Sequence, residues 1–420
     1  MIFRFSLYGF LKNQRYFEPF LVLVLLEKGF SFFLVGMLIA FRELTVNLLE
    51  IPSGAVADAW GRRGSMILSF SVYIVSFLLF GLAESQLGMF AAMFFYAVGD
   101  AFRTGTHKAM IFEWLRLQGR EDEKARVYGY TRSWSKIGSA VSVVLAAVLV
   151  VVSGNFSSVF YFATVPYVLS IVNMLGYPAE LDGEHEKVRS PSAVVRHLRD
   201  SLSVTIRQRP LRRLVAESMG WEGVFHAVKD YLQPVLQAIV LASWAVPLAT
   251  DAESEARRTA LLVGPVFFGL FLLAAVASRS AHRVVRAAGS EERAATWLWG
   301  VNALVCLALS WAAYLQILPG VAVAFVVIYV LQNVWRPILI SRFDQHSAAS
   351  RGATVLSIES QAHRAATMVV APILGWSVDL VQRHGLGGDF WPVGAVSAGA
   401  ALLFFFSALR HRNSRDPRSE

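Results

Sequence analysis

Glu222, His226 and Asp230 recur at every fourth residue of an otherwise apolar stretch, a spacing that lines one helical face with groups able to exchange protons. Glu43, Asn47, Glu50 and Gly54 follow steps of four, three and four, which is again one helical face, with Arg42 beside it. Asp100, Arg103 and His107 share a third face, on which an internal acid–base pair can form. Glu359 with His363, and Ser360 with Arg364, are spaced four apart; Arg15 with Glu18, and Gln332 and Asn333 with Arg336, complete the set. In lipid each such charge would cost roughly 3 kcal/mol on insertion scales. These groups must therefore face a wet interior or one another. Two uses fit them: a polar cavity that holds an anionic or zwitterionic solute and a proton, or ion pairs that lock the protein at one gate.

The elements that must carry these residues are membrane helices. Of 420 residues, 55% are hydrophobic and only 16% charged, against about a quarter charged in soluble domains. The net charge of +9 has a membrane origin. Of the 39 Lys and Arg, about 25 fall in loops and tails on one side of the predicted spans and about 4 on the other, the positive-inside pattern. This asymmetry places both termini in the cytoplasm of an inner (plasma) membrane protein and argues against nucleic-acid binding. Cys306 is the single cysteine, so no internal disulfide can form.

At about 20 apolar residues per span, the sequence predicts an all-α membrane protein with twelve transmembrane helices in two pseudo-symmetric six-helix bundles. The first six spans are 4–26, 31–56, 65–83, 88–112, 127–151 and 157–177. The second six are 213–240, 257–278, 294–315, 319–340, 352–378 and 390–409. The first span of each set is polar enough to escape a plain hydropathy window. Residues 1–177 form the N-terminal bundle, 178–212 a cytoplasmic linker, 213–409 the C-terminal bundle and 410–420 a tail. In the linker, Ser190-Pro191 and the spacing of Val194, Val195, Leu198, Leu202 and Ile206 predict an amphipathic helix lying on the leaflet. Trp60, Trp114, Trp297, Trp299 and Trp391 sit near span ends, where indoles favour the interface.

Between the second and third spans runs Gly54-Ala-Val-Ala-Asp58-Ala-Trp-Gly61-Arg62-Arg63. Gly54 would let a neighbouring helix approach, Gly61 would take a conformation that a β-carbon penalises, and Asp58 could cap a helix. The pattern resembles the loop between the second and third helices of major facilitator superfamily transporters. With six plus six helices, the resemblance extends over essentially the whole chain. It implies two halves rocking about a central site, with Asp58 and Arg62 helping to latch the cytoplasmic side. The counterpart loop after the eighth span, Ser278-Arg279-x-x-His282-Arg283, lacks the Asp. Gly138-Ser-Ala-Val-Ser also departs from the Gly-Pro-rich run that drug–proton antiporters of the superfamily carry in the fifth helix.

The chain has no phosphate-binding loop, HExxH, paired Cys motif or nucleophile elbow. The reading is a non-enzymatic secondary transporter, expected as a monomer without metal or cofactor. It moves a small solute by alternating access, and protons are a candidate coupling ion. The alternatives are a lipid or lysolipid translocator and a non-transporting sensor or scaffold of the same fold. Reporters fused after Glu186 and after Arg412 should both read cytoplasm, and one at Glu253 outside. A cytoplasmic signal at Glu253 would break the helix count.

Overall fold

The structure is a computed structural model that describes residues 1–103, 106–182, 208–242, 252–346 and 352–413. Helix accounts for nearly all of it, with no strand among the described residues. The helices are α1 (Ile2–Leu11), α2 (Leu21–Glu27), α3 (Phe32–Trp60), α4 (Arg62–Leu82), α5 (Gln86–Arg103), α6 (Thr106–Leu117), α7 (Lys124–Ser153) and α8 (Ser158–Leu175). After the linker come α9 (Arg209–Ser218), α10 (Val224–Val228), α11 (Leu232–Ala242), α12 (Ala252–Ala288), α13 (Glu291–Tyr314), α14 (Leu318–His346), α15 (Gly352–His384) and α16 (Trp391–Asn413). Among the described residues, nine helices are long and apolar enough to cross a membrane. The first, fourth and seventh expected spans are not among the nine: the first and seventh are broken within the described residues, and the fourth contains residues 104 and 105, which lie outside them.

These interruptions correct the sequence reading. The span expected at 4–26 breaks between Leu11 and Leu21. There Asn13 donates to Gly9 O at 2.7 Å and Gln14 to Gly138 O at 3.1 Å, so side chains replace part of the helical ladder ahead of Pro19. The span expected at 213–240 carries a π-helical turn at Met219–Gly223 and a 3-10 turn at Lys229–Tyr231. A π turn holds an extra residue, so Glu222, His226 and Asp230 are not one straight stripe. In the expected span 88–112, residues 104 and 105 lie outside the described residues, with α5 (Gln86–Arg103) before them and α6 (Thr106–Leu117) after.

The motif after the second span is also more helical than expected. α3 runs on to Trp60, and Gly61, at φ +87°, is a one-residue hinge into α4. A β-carbon there would meet Asp182 Cγ at 2.9 Å. One at Gly54 would meet nothing within 4 Å among the described residues. Likewise Ser278-Arg279-x-x-His282-Arg283 lies inside α12. The turn that matches Gly61 is Gly289, at φ +80°, followed by the N-cap Ser290, which accepts from Arg293 N at 3.2 Å. Trp299 is a further correction: it is 1% exposed and packs on Trp221 and Trp335 instead of sitting at an interface.

The chain divides into two compact units. Unit 1 holds Met1–Val24, Phe41–His197 and Val246–Phe268; unit 2 holds Leu25–Ala40, Leu198–Ala245 and Gly269–Glu420. In unit 1, α4 packs on α5 and α8, and α1 packs on α7. In unit 2, α13 packs on α14 and α16, and the seventh-span segment packs on α15. The two sets of pairings correspond element for element. A stripe of small polar residues lets α4 and α5 come close: Ser69 donates to Gly99 O at 2.7 Å and Ser76 to Ala92 O at 2.8 Å.

Within unit 2, the start of α3 meets the end of α15. A β-carbon at Gly36 would meet Ala371 O at 2.3 Å, and one at Gly375 would meet Phe32 O at 2.1 Å. The Asp379 carboxylate accepts from Phe32 N and Phe33 N, each at 2.9 Å, and Ser31 Oγ accepts from Leu34 N at 3.3 Å. The first three amides of α3 are thus all satisfied, and a negative charge sits at the positive end of the helix. Replacing Asp379 with Ala should cost roughly 0.5–2 kcal/mol, the usual worth of a helix cap, and Asn should retain part of it. Melting temperatures of the two purified variants should therefore fall in the order wild type, Asn, Ala; an unchanged value for Ala would remove the cap's role.

Candidate functional site

Unit 2 gathers the ionisable groups of its interrupted helix. The π turn carries Glu222, which is 3% exposed, towards α14. There Gln332 Nε2 donates to Glu222 Oε2 at 2.7 Å, and Arg336 Nη1 lies 3.6 Å from Glu222 Oε1. From α15, Glu359 takes both arms of the same guanidinium, at 2.6 and 3.1 Å. Ser218 also donates to Glu359, and His363 Nδ1 lies 3.3 Å from its Oε1. The carbonyl of Gly223, in the π turn, is satisfied by Thr367 Oγ1 at 3.0 Å. His226 stacks on His363 with ring centres 5.6 Å apart. Asp230 instead pairs with Lys229 at 3.1 Å. Asn333 bonds back to its own helix at Tyr329 O, and Arg364 is half-buried on α15.

In unit 1 the Asp100–Arg103 pair forms as the spacing anticipates, at 2.8 Å. Tyr73, which the sequence reading passed over, donates to Asp100 and accepts from Arg103 Nε at 3.3 Å. His107 takes no part in this pair. It stacks on Tyr8 with centroids 3.6 Å apart, and its Nε2 lies 3.1 Å from the Tyr177 hydroxyl. That hydroxyl spends its own hydrogen on Arg4 O at 3.1 Å, so Nε2 must carry the ring proton. Arg42 pairs with Glu43 through Nε at 3.0 Å, while Asn47 and Glu50 are half-buried further along α3. Arg15 and Glu18 sit in the break after α1. Arg15 Nε has no hydrogen-bond partner among the described residues.

Around the motif, Arg63 N donates to Asp182 Oδ1 at 2.7 Å and Arg63 Nη1 to Tyr177 O at 3.1 Å. Arg62 is half-buried at the start of α4. The Asp58 side chain lies outside the described residues, as does the amphipathic helix expected at 190–206.

A second buried ion network, at one end of unit 2, escaped the sequence reading. Arg342, 1% exposed, binds Glu217 Oε2 at 2.7 Å and Glu292 Oε1 at 3.0 Å, and Glu217 also takes Arg213 at 2.8 Å. Arg342 lies two residues past the expected end of its span, and its partners are 125 and 50 positions away. No local pattern exposes such a pairing.

Interrupted helices at matching positions of two similarly packed units, each bearing intramembrane charges, are the architecture of a membrane transport protein. The chain belongs to the Major Facilitator Superfamily, whose family model matches residues 10–372. The chain is 28% identical over 106 residues to the uncharacterized MFS-type transporter YxaM of Bacillus subtilis (strain 168), a stretch that is 25% of this chain and 26% of that one. The match therefore spans about a quarter of that relative's length. Among solved structures, the nucleoside transporter NupG superposes with a TM-score of 0.77 at 12% identity, covering 97% of this chain and 98% of that one. A POT family transporter in complex with a thioalcohol-conjugated peptide gives 0.69 at 13%, over 97% and 96%. A D-xylose-proton symporter gives 0.59 at 14%, over 96% of each chain. At these identities the likeness is one of fold.

Removing one partner of a buried pair leaves an uncompensated charge and costs roughly 3–5 kcal/mol. Glu217→Ala leaves Arg342 with the more exposed Glu292 alone, so up to that cost should appear as a lower yield of monodisperse protein in size-exclusion chromatography. Wild-type yield and melting would show the network to be dispensable.

Proposed function

We propose that this protein is a secondary transporter that carries a small solute by alternating access, with proton coupling through the Glu222–Arg336–Glu359 cluster. One observation carries the coupling assignment: two buried carboxylates share a single guanidinium. One positive charge balances one carboxylate. The second charge calls for a proton, held either by Glu222 itself or by the His363–His226 pair beside it. Glu222 is the better proton site, because Glu359 already receives both arms of Arg336 together with Ser218 and His363.

The solved neighbours named for nucleoside, peptide and xylose-proton transport support a small solute. Adding the expected first, fourth and seventh spans to the nine long helices gives twelve, arranged as bundles 1–177 and 213–409 about the linker 178–212. In this reading both termini lie in the cytoplasm of the plasma membrane, and Asp58 with Arg62 holds the cytoplasmic side closed in one state.

In proteoliposomes, Glu222→Gln should lose accumulation driven by a pH gradient, about tenfold per pH unit for one coupled proton, while solute counterflow persists. Glu222→Gln accumulating like wild type across the pH range would assign the proton elsewhere.

A further inference from the structure

Unit 1 carries an open-mouthed cavity of about 350 Å³ between the end of α1, α6 and α7. Three cations line it: Lys12 from the break after α1, and Arg132 and Lys136 from α7. The remaining wall is neutral, with Asn13, Thr131 and Ser135 as hydrogen-bonding groups and Tyr8 and Tyr128 as aromatic ones; no Asp or Glu is among the lining residues. His107, also in the wall, is committed to Tyr8 and Tyr177 as described. Tyr128, Arg132, Ser135 and Ser139 follow helical spacing, so one face of α7 is turned to the cavity.

The cations here differ from four arginines described above. Arg42, Arg103, Arg336 and Arg342 each have a carboxylate within ion-pair distance. Among the described residues, Lys12, Arg132 and Lys136 form no ion pair, and Lys12 instead leans over the Tyr8 ring at 5.4 Å. Three like charges around one cavity repel each other, and no acid among the described lining residues offsets them. An anion entering the cavity would offset them. At about 30 Å³ per water, the cavity has room for roughly ten non-hydrogen atoms.

We propose that this cavity binds the anionic group of the transported solute, a carboxylate or phosphate on a small organic molecule. The proposal rests on reading the chain as a solute transporter and names the solute's chemistry. Lys12 and Lys136 act as point charges and Arg132 as a fork for two oxygens, while Asn13, Thr131 and Ser135 orient the rest. The same group occurs on a soluble organic anion and on a lysolipid headgroup.

The test measures binding and transport separately on the full chain. Thermal shift and calorimetry would use glycerol 3-phosphate, succinate and lysophosphatidic acid, with glucose and lysine as neutral and cationic controls. Wild type should bind at least one anionic probe, more weakly at higher salt. Lys136→Gln, Arg132→Gln and the Lys12→Gln/Arg132→Gln/Lys136→Gln triple variant should lose about tenfold or more in affinity. Arg132 and Lys136 are exposed on the helix surface, so the two single variants should keep the fold. Preference for glycerol 3-phosphate or succinate would mark a soluble solute, and preference for lysophosphatidic acid a lipid. Failure of every anionic probe to bind wild type, or equal binding by the triple variant, overturns the site. So does undiminished transport of glucose or lysine by the triple variant. Intact, variant-sensitive anion binding with no flux of any probe would keep the site and overturn the transporter reading.

Discussion

A charge inside a membrane-spanning helix has no water to dissolve in, and that constraint organises much of this structure. A guanidinium placed there must find a carboxylate, a polar wall or an aromatic face. Arg336 finds Glu359 and Glu222, Arg103 finds Asp100 and Tyr73, and Arg342 finds Glu217 and Glu292. Each pairing ties together helices that apolar packing alone would leave free to slide, because lipid tails are as apolar as leucine. The breaks in the first and seventh spans obey the same rule. Backbone groups released from the helical ladder are re-satisfied by buried side chains, as Thr367 does for Gly223.

The two units repeat their packing and differ in their chemistry. α4 with α5 and α8 corresponds to α13 with α14 and α16, and Gly61 corresponds to Gly289. Beside the interrupted helix, however, unit 1 presents cations that form no ion pair among the described residues, whereas unit 2 presents two acids around one arginine. In the proposed reading this arrangement divides the work: a cationic wall suits an anionic solute, and an acid-rich cluster suits a proton.

What was legible in the sequence followed local rules. The long spans, the Asp100–Arg103 pair and the positive φ of Gly61 each follow from composition or spacing within a few residues. The failures were also physical. A ladder such as Glu222, His226 and Asp230 assumes 3.6 residues per turn, and the π turn at Met219–Gly223 breaks that period. Arg342 reads as an ordinary loop cation until Glu217, far away in sequence, closes on it. Asp379 stands one residue beyond an expected helix end, and its partners are backbone amides that carry no sequence signature.

That last point gives the Asp379 contact an unusual evolutionary character. The Arg336–Glu359 pair depends on two side chains, so a change at one position can be answered by a change at the other, and the two should drift together. Asp379 meets Phe32 N and Phe33 N, which every residue except proline provides. Positions 32 and 33 are therefore free to vary as far as this contact is concerned, while the whole burden of keeping it falls on position 379. In a family tree the joint between α3 and α15 would show as a single constrained acid with no covarying partner, and methods that find contacts through paired substitutions would pass over it.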